Sequence, residues 1–166
     1  MNIADNLART AQFLPDQVAV IEGDRQITYR QFNEECSRVA SSLAASGIQA
    51  GDHVVLWAPN SYAWLAIYFG VIKAGAVAVT ISHLAPADEL ARVLVDCRPK
   101  AMLAGDDKAG DFQALKEKAD ALLIISNHGD MSFESLIKGG AKNFKTVDRN
   151  RHDTCAVLFT GGTTGI

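Results

Sequence analysis

Apolar residues recur at helical spacing in several segments of this chain. In the first segment they lie three or four positions apart: Ile3, Leu7, Ala11 and Leu14. This spacing predicts an amphipathic helix that Pro15 ends. A second apolar face runs from Phe32 to Leu43 and follows Thr28 and Gln31, which have the spacing of a capping box. The same periodicity predicts helices around residues 61–73, 86–97, 112–115 and 133–137.

Other apolar runs lack the helical period and indicate strands. Residues 18–22 and 25–28 flank Gly23 and Asp24, a pattern that predicts a β-hairpin with a two-residue turn. The runs at residues 53–57, 77–81, 102–104, 122–125 and 154–160 are mostly apolar without alternation, as in strands buried on both faces. Since strands and helices alternate from residue 53 onward, we predict an α/β fold. Its core is a layered, mainly parallel sheet flanked by helices.

Composition narrows the class of protein. The chain has 166 residues, enough for one compact domain, and its 48% hydrophobic content is ordinary for a globular protein. A net charge of −3 argues against nucleic acid or an anionic membrane surface as the main partner. The longest apolar run, residues 63–72, is too short to span a bilayer. No leader pattern opens the chain, so we expect a cytoplasmic location.

Several tempting residues have ordinary structural interpretations. The three cysteines (Cys36, Cys97 and Cys155) have apolar neighbours, so we expect buried, reduced thiols. Asp106, Asp107 and Asp111 could suggest a metal cluster, but the lysines and glycines among them favour a solvated loop and helix start. Three large aromatic residues could line a pocket, but their helical and strand spacing favours positions in the core: Trp57, Trp64 and Tyr68.

One segment before the last strand is basic. Residues 139–152 contain four cations against one acidic residue, Asp148; the cations are Lys142, Lys145, Arg149 and Arg151. We interpret this segment as a solvated connecting loop, and a phosphate-attracting patch is the alternative.

The strongest candidate for chemistry is the end of the chain, where an apolar run leads directly into glycines and threonines. Glycine exposes backbone N–H groups that together can bind an anion, and threonine hydroxyls add donors. Ligands of doubly wound sheets bind beyond the carboxyl ends of strands, which is where this loop begins. The spacing is not that of a Walker loop, and a flexible turn is the alternative. The candidate phosphate-binding residues are Thr160, Gly161, Gly162, Thr163, Thr164 and Gly165.

The loop sequence T-G-G-T-T-G resembles the phosphate loop T-S-G-T-T-G-x-P-K-G of the adenylate-forming superfamily, with Gly161 in place of Ser. The chain ends at Ile166, before the Pro, Lys and Gly of that motif. Four more segments resemble family motifs in the expected order: I-T-Y-R-Q-F at 27–32, the stretch 43–52, P-N-S at 59–61 and G-V-I-K-A-G-A at 70–76. We expect structural roles for these four segments. Ser82-His83 departs from the usual Asn-Pro, a change expected to affect a turn.

The resemblance implies an acyl- or aryl-CoA synthetase. Such enzymes activate a small-molecule carboxylate with ATP and Mg²⁺ and pass the acyl group to coenzyme A. It implies that the six loop residues grip the β- and γ-phosphates, and that catalytic residues and metal ligands follow Ile166. The chain would then be the first subdomain of the ligase's N-terminal domain, inactive alone and self-associating through exposed apolar surface. The alternative is a free-standing, non-catalytic nucleotide-binding or interaction module.

Overall fold

The computed structural model describes residues 2–119 and 122–159. The α-helices are α1 (Ala4–Phe13), α2 (Tyr29–Ala45), α3 (Tyr62–Lys73), α4 (Ala87–Cys97), α5 (Phe112–Lys118) and α6 (Phe133–Gly139). The strands are β1 (Val18–Glu22), β2 (Arg25–Thr28), β3 (His53–Trp57), β4 (Val77–Thr80), β5 (Ala101–Ala104), β6 (Leu123–Ile125) and β7 (Ala156–Leu158). A short 3-10 helix (Asp106–Asp111) precedes α5. No described helix is long and apolar enough to cross a membrane.

The helix and hairpin signals of the sequence are confirmed. The Thr28 hydroxyl accepts a hydrogen bond from the Gln31 N–H at 3.3 Å, and the Gln31 side chain accepts one from the Thr28 N–H at 2.9 Å. This capping box opens α2. Ser61 caps α3 by accepting the Trp64 N–H at 3.1 Å. β1 and β2 pair antiparallel across the predicted two-residue turn.

Five strands form a wholly parallel sheet in the order β6-β5-β3-β4-β7. The chain passes from β3 outward to β4 through α3, then returns across the sheet through α4 to place β5 on the other side of β3. Such a reversal is the mark of a doubly wound sheet. The predicted layered α/β fold is confirmed.

Helices cover both faces of this sheet, which explains the absence of alternation in its strands. In β3, Val54 and Leu56 belong to a core shared with α2, α3 and α6. The intervening residues, Val55 and Trp57, belong to a second core shared with α4 and α5. The four consecutive positions from Val54 to Trp57 are therefore apolar and serve the two faces in turn, whereas His53 only opens the strand.

A residue that the sequence analysis did not single out ties α1 to this framework. Asn2 is only 3% exposed, and its side-chain oxygen accepts the Ala4 N–H at 2.9 Å. Its side-chain amide donates to the carbonyl oxygens of Ile72 at 2.7 Å and Val147 at 2.9 Å. One side chain thus satisfies backbone groups from three segments, which buried polar groups require.

The expectation that all three cysteines are buried is wrong for two of them. Cys36 is buried in the helical layer, Cys97 is partly exposed and Cys155 is exposed. Cys155 comes immediately before β7, and β7 pairs with β4 alone in the described part of the sheet. Its apolar sequence neighbours therefore gave a misleading signal, because an edge position leaves one side open to solvent.

Candidate functional site

The last described strand leads the chain to the carboxyl edge of the sheet. β7 pairs with β4 in parallel, with Leu158 opposite Thr80. The next residue, Phe159, donates its N–H to the Thr80 carbonyl oxygen at 3.1 Å. Because all five strands are parallel, this is the edge at which doubly wound sheets bind ligands.

The predicted phosphate-binding residues begin directly after this point. All six lie outside the described residues: Thr160, Gly161, Gly162, Thr163, Thr164 and Gly165. Their contact with phosphate therefore stays a prediction. What the structure describes is the strand that ends immediately before them and its place in the sheet.

A cleft of about 430 Å³ opens at this edge, between α3, the turn after β4 and the end of β7. One wall is a stacked pair of rings, Trp64 and Tyr68, with centroids 5.4 Å apart and planes inclined by 8°. Ser82 and His83 lie on another wall, and Phe159 borders the cleft where the chain leaves β7. The cleft therefore combines aromatic surface with polar side chains beside the start of the Gly/Thr loop.

The predicted core positions are confirmed in full for Trp57 and in part for Trp64 and Tyr68, which pack against the core from its margin. Trp57 is fully buried, whereas Trp64 and Tyr68 are half-buried and border the cleft. Residues four apart on a helix share a face, but the period does not tell whether that face meets the core or a cleft. No sequence signal distinguished the two cases.

The turn that carries Ser82 and His83 is anchored to the sheet. Ser82 accepts the Leu84 N–H on its hydroxyl at 3.3 Å and the Ala85 N–H on its carbonyl at 2.9 Å. The Trp57 indole N–H then donates to the Ala85 carbonyl oxygen at 3.2 Å. The departure from Asn-Pro at these positions therefore falls in a turn, as the sequence predicts.

A second cleft, of about 290 Å³, lies between the loops that follow β3, β5 and β6. Its acidic residue, Asp106, accepts hydrogen bonds from the Ser126 hydroxyl at 2.7 Å, the Asn127 N–H at 3.0 Å and the Asn127 side chain at 2.7 Å. These bonds, that from Ser126 foremost, hold the pKa of Asp106 below its ordinary value. The carboxylate thus organises the turn after β6.

The described residues offer no metal centre. No group of three or more His, Cys, Asp or Glu side chains among residues 2–119 and 122–159 could hold an ion. Asp106 and Asp107 open the 3-10 helix that Asp111 closes, which agrees with their interpretation as a loop and helix start.

The second half of the basic segment and the residues that lead from it to β7 meet the rest of the fold at the amino ends of the strands. The Val147 N–H donates to the Lys73 carbonyl oxygen at 3.0 Å, at the end of α3. The Cys155 carbonyl oxygen accepts the N–H of Ala78, near the beginning of β4. These contacts lie at the amino ends of the strands, whereas the Gly/Thr loop follows the carboxyl end of β7. The position favours a connecting loop over a patch that serves the Gly/Thr loop.

The segment G-V-I-K-A-G-A has a structural role. Lys73 is buried, and its ammonium donates to the Asn33 side-chain oxygen at 2.8 Å. Burial lowers the pKa of Lys73. Gly75 has a φ of +79°, and a Cβ there would lie 2.8 Å from a Val147 methyl group. The segment therefore joins α3 to β4 without contributing a reactive group.

Comparison with known proteins decides the family. The family described as AMP-binding enzyme matches residues 7–166, nearly the whole chain. The chain belongs to this family. It is similar to a long-chain-fatty-acid–CoA ligase of Mycobacterium tuberculosis, with 32% identity over 99% of this chain and 33% of that protein. It is also similar to a putative acyl-CoA synthetase of Bacillus subtilis, with 41% identity over 63% of this chain and 19% of that protein.

Solved structures of the family share the fold. An anthranilate CoA ligase in complex with anthranoyl-AMP matches with a TM-score of 0.92 and 27% identity, over 99% of this chain and 33% of that one. The inhibitor-bound N-terminal domain of FACL13 from M. tuberculosis matches with a TM-score of 0.87 and 30% identity, over 99% of this chain and 42% of that one. The chain therefore spans about a third of the length of its full-length relatives.

Proposed function

We propose that this chain is the N-terminal, phosphate-binding part of an ATP-dependent acid–CoA ligase. The observation that carries the proposal is the path of β7. This strand ends at the ligand-binding edge of a doubly wound sheet, and the T-G-G-T-T-G sequence follows it directly. Membership of the AMP-binding family and similarity to proteins named as fatty-acid and aryl CoA ligases support it.

The proposed reaction has two steps. A carboxylate oxygen attacks the α-phosphorus of ATP, which forms an acyl-adenylate and releases pyrophosphate. The thiol of coenzyme A then attacks the acyl carbon, which forms a thioester and releases AMP. The chain's part is electrostatic: N–H and hydroxyl donors of the loop stabilise charge on the departing phosphates. Mg²⁺ neutralises charge on these phosphates when it is bound, and no described side-chain cluster provides ligands for it.

The test uses the chain extended in its native reading frame to the length of its relatives. We expect AMP and a thioester from ATP, coenzyme A and a fatty or aromatic carboxylate. Replacing both Thr163 and Thr164 with Val should lower the rate about 100-fold or more, since oxyanion donors have effects of this size. Thr154→Val, before β7, is the matched control and should leave the rate unchanged.

Two results would contradict this proposal. The 166-residue chain alone should make no thioester, so thioester formation by it would show that the catalytic parts lie within it. An extended protein that binds ATP without releasing AMP would instead favour the non-catalytic binding module. We also propose a cytoplasmic location, because ATP and coenzyme A are cytoplasmic substrates.

We further propose that the isolated chain self-associates at the β7 edge. Leu158 in β7 is 71% exposed and the next residue, Phe159, is 38% exposed. Within the described part of the sheet, β7 pairs with β4 alone. Open strand edges with apolar side chains favour pairing between chains.

Sedimentation velocity over a wide concentration range should show association of the parent chain and of Val95→Glu, which alters an exposed apolar residue of α4. Leu158→Glu should be monomeric; a monomeric parent chain would contradict the proposal.

A further inference from the structure

A pocket of about 390 Å³ lies between the carboxyl ends of α4 and α5, close to the amino end of β5. Leu94 and Val95 form part of its apolar surface. Its polar lining comes from two segments: Arg98 and Lys100 lie in the short connection between α4 and β5, and Glu117 and Lys118 end α5. The volume falls within the range of small-molecule pockets, roughly 300 to 1,000 Å³.

Among the described residues that line this pocket, three are cationic and one is acidic, and all four are exposed. Within the described ranges, the side chains of Arg98, Lys100 and Lys118 make no ion pair or hydrogen bond with a neighbouring residue. Glu117 also lines the pocket, and its carboxylate accepts a hydrogen bond from the Gln113 side chain at 3.2 Å. Arg98, Lys100 and Lys118 thus line one cavity, in which Glu117 is the carboxylate among the described residues. Like charges at short range repel each other unless an anion lies between them.

The backbone of Arg98 adds a second, independent observation. Its φ is 45° and its ψ is 56°, and among the described residues it is the only non-glycine residue with a positive φ. Glycine is the usual residue at this position after a helix, because a Cβ is strained there. An arginine that occupies a strained position beside a pocket suggests that its side chain has a use.

We propose that this pocket binds a phosphate-bearing small molecule through Arg98, Lys100 and Lys118. A guanidinium donates two parallel N–H bonds to a phosphate, and ammonium groups add charge. The apolar surface of Leu94 and Val95 can contact the organic part of a ligand. The site is at the amino end of the sheet, whereas the Gly/Thr loop follows the carboxyl end of β7, so its existence does not depend on the proposed ligase activity.

A purely structural role makes a different prediction. Cations near helix carboxyl ends are stabilised by the helix dipole, which could account for Arg98 and Lys118. It does not account for Lys100, which precedes a strand and belongs to no helix. Under that interpretation the three cations affect stability alone and the pocket has no affinity for phosphate.

The test is titration of the 166-residue chain with inorganic pyrophosphate at low ionic strength, followed by calorimetry and by amide chemical shifts. We expect shifts at Lys100 and around Arg98. Arg98→Gly should weaken binding about tenfold or more, while the midpoint of thermal unfolding stays unchanged or rises by about 3 °C because the strain is relieved. Lys100→Gln should weaken binding by a similar factor. A repeat with adenosine and with AMP separates the contribution of the phosphate from that of the organic part.

Two controls separate this site from other anion-binding surfaces. Lys142→Gln, in the basic segment, should leave the affinity unchanged. In the Thr163→Val, Thr164→Val double variant, pyrophosphate should cause the same amide chemical-shift changes at the pocket residues. This holds even if the double substitution removes a second binding event at the Gly/Thr loop. Binding by Arg98→Gly within twofold of the parent chain would overturn the proposal. The proposal would also be overturned if pyrophosphate caused no amide chemical-shift changes at the pocket residues of the parent chain. The cations would then serve only to stabilise the ends of the helices.

Discussion

Gly140→Ala should destabilise the chain by about 3 kcal/mol, because overpacking at a rigid contact costs roughly this much. A Cβ built on Gly140 falls on the backbone of Arg38, with the Arg38 carbonyl carbon only 2.5 Å away. Backbone atoms cannot move aside as a side-chain end can, so α6 would have to separate from α2. The free energy of unfolding from urea titration, followed by circular dichroism, measures the effect.

The close approach of α2 and α6 is held by two side chains of α2. Arg38 donates to the Gly140 carbonyl oxygen at 3.0 Å, and Ser42 donates to the Leu136 carbonyl oxygen at 2.7 Å. The Arg38 bond gives a partner to the Gly140 carbonyl oxygen, which lies beyond the last turn of α6. The Ser42 bond adds to the one that the Leu136 carbonyl oxygen accepts from the Gly140 N–H at 3.2 Å. Separating the helices therefore breaks hydrogen bonds as well as apolar contact.

The adjacent glycine is a matched control. A Cβ on Gly139 would meet only the Ser42 hydroxyl, at an ordinary 3.5 Å. Since Gly139 is the last residue of α6, alanine should be neutral or stabilising by about 0.5 kcal/mol. Equal effects of the two substitutions would show that the end of α6 tolerates side chains generally and that the Arg38 contact is not rigid.

These two glycines show what the sequence could and could not predict. The apolar spacing around residues 133–137 correctly predicted the short helix that ends at this point. It did not tell that Gly140 is required by its distance to another helix, because that contact joins residues about a hundred positions apart. Local signals such as the Thr28 capping box and the Gly23-Asp24 turn involve neighbouring residues, so they were predicted correctly.

The sheet shows the same division between local and long-range information. Apolar strands without alternation predicted a parallel sheet covered on both faces, and this is confirmed. The strand order was not predictable, because any apolar strand can pair with any other and the order depends on which helix covers which face. The edge position of β7 follows from that order, and with it the exposure of Cys155 and Leu158.

The family of the candidate site was predictable from the sequence, whereas the residues that form the walls of the cleft were not. The Gly/Thr loop is a local pattern, and its resemblance to a known phosphate loop placed it in a family that the comparisons confirm. The cleft beside it is formed by α3, the turn after β4 and β7, which are distant in sequence. Helical periodicity could not assign Trp64 and Tyr68 to that cleft, because it identifies a face and not what the face contacts.

Trp57→Ala should destabilise the chain more than truncation of any other aromatic residue. We expect it to lower the free energy of unfolding by about 4 kcal/mol, since truncation of a buried tryptophan costs roughly 3 to 5 kcal/mol. Trp57 has no solvent exposure, its indole N–H donates to the Ala85 carbonyl oxygen at 3.2 Å, and the Lys108 ammonium lies 4.9 Å from its ring centroid. Its loss therefore opens a cavity under β3 and also frees the turn that borders the cleft. The chain's other tryptophan, Trp64, is half-buried, so Trp64→Ala should cost about half as much and serve as the control. Urea unfolding of both variants, followed by circular dichroism, tests the difference. If Trp57→Ala lowered the free energy of unfolding no more than Trp64→Ala, the core around β3 would have to refill the space. The turn after β4 would then be held by other contacts.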